Sequence, residues 1–276
     1  MTGRKNCSGD VPAAKSSVPI AFDDESSFTR LGLILLATDM TTEQDFALMA
    51  RICSGDRLRL HATRVAYANP VTPENLRAMG PRLGQAAGLL APVMPLKAVY
   101  FSCTSGSAVI GDDVVAAAVQ NAMPAADGQP APKAVTPLTA ATAACSALGV
   151  SRLCMLTPYT EDSTKAVVGY FVDHGVEASH VSYLGLEDDR DMARITTDSL
   201  VQAAKEAVAR SAGPAPQALF ISCTALRSMQ TAAQIEQKIG IPVITSNQAA
   251  AWYSFKTAGI DTSAAPFGRL MTKDIP

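Results

Sequence analysis

The chain has 276 residues, 48% of them apolar and 17% charged, with 23 basic against 25 acidic side chains. That length suits two domains or one large α/β unit. A formal net charge of −2 gives no electrostatic case for nucleic acid or an anionic membrane, and no apolar run reaches the roughly 18 residues that a bilayer span needs.

Residues 1–28 are polar and rich in Gly, Pro and Ser, without the apolar stretch of a secretory signal, so they read as a mobile arm in which Cys7 is incidental. A cytoplasmic location is expected. Six cysteines in a chain this long do not imply a disulfide framework, which belongs to short secreted chains. The three histidines are scattered and no CxxC, HxH or HExxH pattern occurs, so no metal site is expected.

From Arg30 onward, strand-length apolar runs alternate with helical patterns. Leu31–Ala37 is continuously apolar, the pattern of a strand buried on both faces. Thr41 and Thr42 are candidate caps of a following helix, with Glu43 in its first turn. Thr63–Tyr67 reads as a second strand, followed by a helical segment from about Thr72 that Pro81 starts or kinks. Ala98–Ser102 makes a third strand, and Ser107–Met123 the next helix. Residues 121–137, rich in Pro, Gly and Ala, read as a crossover. Arg152–Leu156, Val181–Leu184 and Ala218–Ser222 then repeat the first three strands, with a helix over Glu161–His174. A last strand, Ile241–Thr245, leads into a helix from Ser246 to about Ala258, and the residues from Ile260 read as a loosely held tail.

Alternation of this kind implies parallel strands and right-handed crossovers. The duplication implies two similar, doubly wound, flavodoxin-like α/β lobes facing each other across a pseudo-two-fold cleft. The expected division is residues 29–136 plus 246–262 for the first lobe, 137–245 for the second, and 263–276 for the tail.

The sharpest signal is a repeated Ser-Cys-Thr, in FSCTSGS at 101–107 and ISCTALR at 221–227. Each cysteine falls at the carboxyl end of a predicted strand where a helix is about to begin, the edge at which parallel sheets bind ligands. Helix-start N–H groups there favour anions and lower a thiol pKa. Cys103 and Cys223 should therefore enter one cleft from opposite sides. The competing reading is two buried structural cysteines, and Cys53, Cys145 and Cys154 fit that role.

CTSGS at 103–107, TPY at 157–159, SCTALR at 222–227 and SNQ at 246–248 occur in the order of motifs found in the aspartate/glutamate racemase superfamily. From about Arg30 to Gly259 the chain resembles the branch of maleate isomerase and arylmalonate decarboxylase, and most of all the ectoine-utilization racemase-like proteins. The resemblance implies a cofactor-independent isomerase acting on a small carboxylate, an amino-acid-like intermediate of ectoine degradation. Cys103 and Cys223 would be acid and base on opposite faces of the substrate. Thr104, Ser105, Tyr159 and Thr224 would supply donors to the carboxylate. Asn247 either touches substrate or caps the last helix. Asp39 stands where maleate isomerases carry an asparagine, and would repel a second substrate carboxylate and accept an ammonium, unless it is only a helix cap. Arg227 is either a cleft arginine or a solvated one.

The charge balance gives no expectation of a nucleic-acid or membrane partner, and the resemblance implies a homodimer or homotetramer. Two rivals follow from it. In a maleate-type cis–trans isomerase, Cys103 would add to a double bond; a catalytically silent carboxylate-binding protein would keep the cleft alone. The decarboxylase needs one cysteine, so the presence of both argues against that activity.

Overall fold

In the computed structural model, residues 14–90, 95–125 and 128–276 are described. Cys7 and the first part of the expected arm lie outside the described residues. The later part, to Phe28, is mostly exposed, but Arg30 holds its end by reaching the Glu25 carboxylate and the carbonyls of Glu25 and Phe28.

The elements follow in chain order as β1 (Thr29–Leu36), α1 (Thr42–Ser54), β2 (Leu58–Val65), α2 (Pro73–Arg77), α3 (Gly80–Gly88), β3 (Ala98–Ser102), α4 (Thr104–Ile110), α5 (Asp112–Ala122) and β4 (Lys133–Val135). The second half continues with α6 (Pro137–Leu148), β5 (Arg152–Thr157), α7 (Glu161–Asp173), β6 (Glu177–Tyr183), α8 (Asp189–Met192), α9 (Thr197–Ala209), β7 (Ala218–Ile221), α10 (Ala232–Ile239), β8 (Val243–Thr245) and α11 (Ser246–Thr257). Two parallel sheets result, ordered β2-β1-β3-β4 and β6-β5-β7-β8. The matching strand order is the duplication read from the sequence, and the architecture is the expected two-lobed α/β fold. Central strands such as β3 and β7 are buried along their whole length, which is why they are continuously apolar.

Several expected boundaries move for physical reasons. Strand β2 starts at Leu58 because it is an edge strand, and its alternating Arg, Leu and His conceal a half-solvated face. The helix expected from Ser107 begins at Thr104 and is cut in two at Gly111, whose φ of 93° is left-handed and open to glycine. The expected crossover contains β4, and α6 follows it, started by a Thr136–Thr139 capping box with Pro137 in the first turn and ended by a left-handed Gly149.

The carboxyl-terminal residues are docked rather than loose. Leu270 and Met271 are fully buried, the Trp252 indole donates to the Lys273 carbonyl, and the Glu236 carboxylate accepts the Arg269 N–H. Helix α11 packs on α1, β3 and β4 of the first sheet and also on α6. Among the described residues no helix is long and apolar enough to cross a membrane.

Candidate active site

The two lobes meet at the carboxyl edges of both sheets and enclose a small cavity there. The first half of the chain contributes Asp39, Tyr67, Cys103, Thr104 and Ser105 to its wall; the second contributes Tyr159, Asp189, Met192, Cys223 and Thr224. Both cysteines of the repeated tripeptide therefore face one space, at 4% and 5% exposure.

The first turn is built as the sequence suggested. Cys103 is the residue before α4, its sulfur accepts the Gly106 N–H at 3.2 Å, and the Ser105 hydroxyl lies 3.9 Å away. Gly106 is required by this approach, since a Cβ there would sit 2.7 Å from the sulfur. The second turn differs from expectation: residues 224–231 form turns, and α10 begins only at Ala232. Cys223 is instead held at φ 93°, the one described non-glycine residue with positive φ. Such strain persists where surrounding structure over-determines it, as at active sites. The nearby Ala225 and Leu226 N–H groups and the Tyr159 hydroxyl act to lower its thiol pKa. The sulfur also lies 3.8 Å from the Met192 thioether.

The N–H groups at the two turns act to lower the thiol pKa values as expected, but the net shift is upward. Burial pushes both Cys103 and Cys223 up to about 12, outweighing the N–H donors. The negative charge of Asp189 adds to the push on both.

The remaining sequence-picked residues separate into wall and support. The Thr104 hydroxyl donates to Ser246 at 2.8 Å, and that of Thr224 to the Ser102 carbonyl at 3.3 Å, across the lobes. Tyr159 is buried beside the Ser222 hydroxyl at 3.3 Å. Asp39 lines the cavity and also caps α1: one oxygen accepts the Thr41 and Thr42 N–H groups at 2.9 Å, the other the hydroxyls of Thr42 and Ser102 at 2.7 and 3.0 Å. Thr41 and Thr42 thus receive the cap that the sequence suggested they supply.

Asn247 is not among the residues lining the cavity. It is fully buried behind the wall, donating to Asp45 at 3.0 Å and to the Thr224 carbonyl at 2.9 Å, so it steadies the turn next to Cys223. Arg227 is exposed and bonded to the Ile195 carbonyl. Cys145 and Cys154 are buried and Cys53 is half-buried, away from the cavity.

Two polar wall residues, Tyr67 and Asp189, are not among those singled out from the sequence. The Tyr67 hydroxyl is buried without a hydrogen-bond partner, and burial followed by the nearby charges of Cys103, Asp189 and Cys223 pushes its pKa up, keeping it a neutral donor. Asp189, at 6% exposure, accepts from the Asn69 amide at 2.7 Å and from the Thr38 hydroxyl, both on the opposite lobe.

Residues 56–271 match the family model described as arylmalonate decarboxylase. The chain belongs to that family. Family membership agrees with the order of motifs around the two cysteines. Arylmalonate decarboxylase of Bordetella bronchiseptica is 30% identical over 155 residues, which is 56% of this chain and 62% of that protein. Maleate isomerase of Nocardia farcinica is 23% identical over 249 residues, covering 89% of this chain and 96% of the isomerase. A solved structure of a cysteine-to-serine mutant of Nocardia farcinica maleate cis–trans isomerase, with a covalently bound succinylcysteine intermediate, superposes with a TM-score of 0.78 at 21% identity. It covers 89% of this chain and 98% of that one, so this family member shares the same two-lobed fold.

Proposed function

We propose that the protein is a cofactor-independent racemase or epimerase of a small carboxylate, with Cys103 and Cys223 as the acid–base pair. The observation that carries this reading is that two pseudo-equivalent turns, one from each lobe, present their thiols to a single cavity. One thiolate removes the proton from the carbon beside the carboxylate. The electron pair moves into an enediolate, and the opposite thiol delivers a proton to the other face. The turn ends with inverted configuration and with the proton exchanged between the two sulfurs. Charge growing on the carboxylate oxygens calls for preorganised donors, and the wall offers the unpartnered hydroxyl of Tyr67 and that of Ser105, while the hydroxyls of Thr104 and Thr224 are committed to Ser246 and the Ser102 carbonyl. Resemblance to the ectoine-utilization proteins supports an amino-acid-like intermediate of ectoine degradation as the substrate.

The second reading, a cis–trans isomerase with a nucleophilic cysteine, is favoured by one observation: the Nocardia isomerase aligns along 89% of the chain. Incubation of candidate carboxylates in deuterated water, read by mass and chiral chromatography, decides between them. One deuterium at the α-carbon with inversion supports the racemase. Conversion of maleate to fumarate without racemisation of any carboxylate refutes it in favour of the isomerase, and tight binding without turnover refutes it in favour of a silent binding protein.

A further inference from the structure

The charge pattern of the cavity is not explained by the pairing of thiols. Two carboxylates stand on the wall, and among the described residues no lysine, arginine or histidine lines it. The two are not equivalent. Both oxygens of Asp39 are taken up by the first turn of α1 and by Ser102. Asp189 has only neutral donors, the Asn69 amide and the Thr38 hydroxyl. Its neighbours in sequence are neutralised: Asp188 pairs with Arg190 and Asp191 with Arg194. Asp189, the most buried of the three, has no ion-pair partner among the described residues.

A buried carboxylate without a counter-ion is costly, and a buried hydroxyl without an acceptor also costs free energy. The cavity contains both, Asp189 and the unpartnered Tyr67 hydroxyl. Together they describe the missing counterpart: an anionic oxygen to accept from Tyr67 and a cationic N–H group to donate to Asp189.

We propose that Asp189 is the cation-binding residue of this site, and that the substrate is a carboxylate bearing an ammonium group rather than a dicarboxylate. The proposal rests on reading the cavity as the substrate site. Asn69 and Thr38 act as positioning residues, holding the carboxylate from the opposite lobe. Specificity and activation then share a sign. The charge of Asp189 helps to keep both thiols protonated. A ligand ammonium beside it offsets that effect and favours the thiolate, whereas a second ligand carboxylate adds to it.

The test is calorimetric titration of the intact protein with butyrate, its 2-amino, 4-amino and 2,4-diamino derivatives, and maleate. At least one amino derivative should bind about tenfold or more tightly than butyrate, the size of one charge-assisted hydrogen bond, and maleate should bind more weakly than butyrate. Asp189→Asn should remove the ammonium advantage and improve maleate binding. Equal binding of butyrate and all its amino derivatives would overturn the proposal, as would a preference that survives Asp189→Asn or is lost only in Asp39→Asn. A second readout is the pH profile of Cys103 and Cys223 alkylation by iodoacetamide, which Asp189→Asn should move to lower pH; an unmoved profile counts against the proposal. Failure of the racemase reading is distinguishable, since it would leave the ammonium preference in place while abolishing α-proton exchange.

Discussion

Asp45 offers a quantitative test of how the wall is supported. It is fully buried, and its oxygens accept from the Gln230 amide at 3.1 Å and the Asn247 amide at 3.0 Å, so it ties α1 to both the second lobe and α11. Desolvation dominates its titration and raises the pKa from 3.8 to about 6, with the two amides opposing and Asp39 reinforcing the rise. A carboxyl group whose folded pKa is raised stabilises the fold while protonated, and that contribution is lost as pH rises from the unfolded value through the folded one. A rise of about two units corresponds to about 3 kcal/mol of stability lost between pH ~4 and ~6. Asp45→Asn removes the charge at nearly constant shape, and a rotated Gln230 amide can offer its oxygen to the new NH₂ group. The stability difference between the variant and the natural protein should therefore grow in the variant's favour by about 3 kcal/mol across that window and be level above it. Urea unfolding of both proteins from pH 3.5 to 7.5 measures it. A difference that is flat with pH, or that falls as pH rises, would refute the argument.

Other outcomes follow from the site. Gly106→Ala places a Cβ 2.7 Å from the Cys103 sulfur and 3.0 Å from the Met79 methyl carbon. Displacing the thiol should cost about a hundredfold in kcat/KM, with about 1–3 kcal/mol of stability, and turnover at the natural rate would contradict the assigned role of that sulfur. With both thiols near 12, the thiolate fraction at pH 8 is about a thousandfold below that of free cysteine, and the higher nucleophilicity of a more basic thiolate recovers part of it. Iodoacetamide should thus modify Cys103 and Cys223 at least about thirtyfold more slowly than free cysteine at pH 8; peptide mapping by mass spectrometry reads this, and free-thiol rates would show that burial does not control them. Glu236 accepts the N–H groups of Val243 and Arg269 from inside the protein. Glu236→Ala should cost about 1–3 kcal/mol in urea unfolding by orphaning both donors, and an unchanged midpoint would mean that the carboxyl-terminal segment is held elsewhere.

The parts of the fold legible in the sequence are those whose burial is simplest. Strands β3 and β7 have both faces covered, so their apolar runs stand out, and the Ser-Cys-Thr that follows each marks the lobes as copies. Strand β4 is three residues long, too short to carry a period. Helix α6 packs on α11, α4 and β8 and is apolar on most sides, so it shows no amphipathic stripe. The cysteines, Tyr159 and the small hydroxyl residues were legible because chain-local motifs carry them. Asp189 was not: it sits in an Asp-Asp-Arg-Asp run that reads as a solvated charge cluster, and only Thr38 and Asn69, more than a hundred residues away in sequence, make it a buried wall residue. The thiol pKa direction was missed for a related reason. The N–H groups at a turn can be anticipated from a motif, but complete desolvation depends on the opposite lobe.

The central claim is that each thiol serves one face of the substrate. The most direct measurement is α-proton exchange of the separate enantiomers of the turned-over carboxylate in deuterated water by Cys103→Ser and Cys223→Ser. Each variant should lose racemisation yet still exchange the α-proton of one enantiomer with retention, the two variants acting on opposite enantiomers. Exchange of the same enantiomer by both variants, or racemisation that survives either substitution, would contradict the two-thiol mechanism.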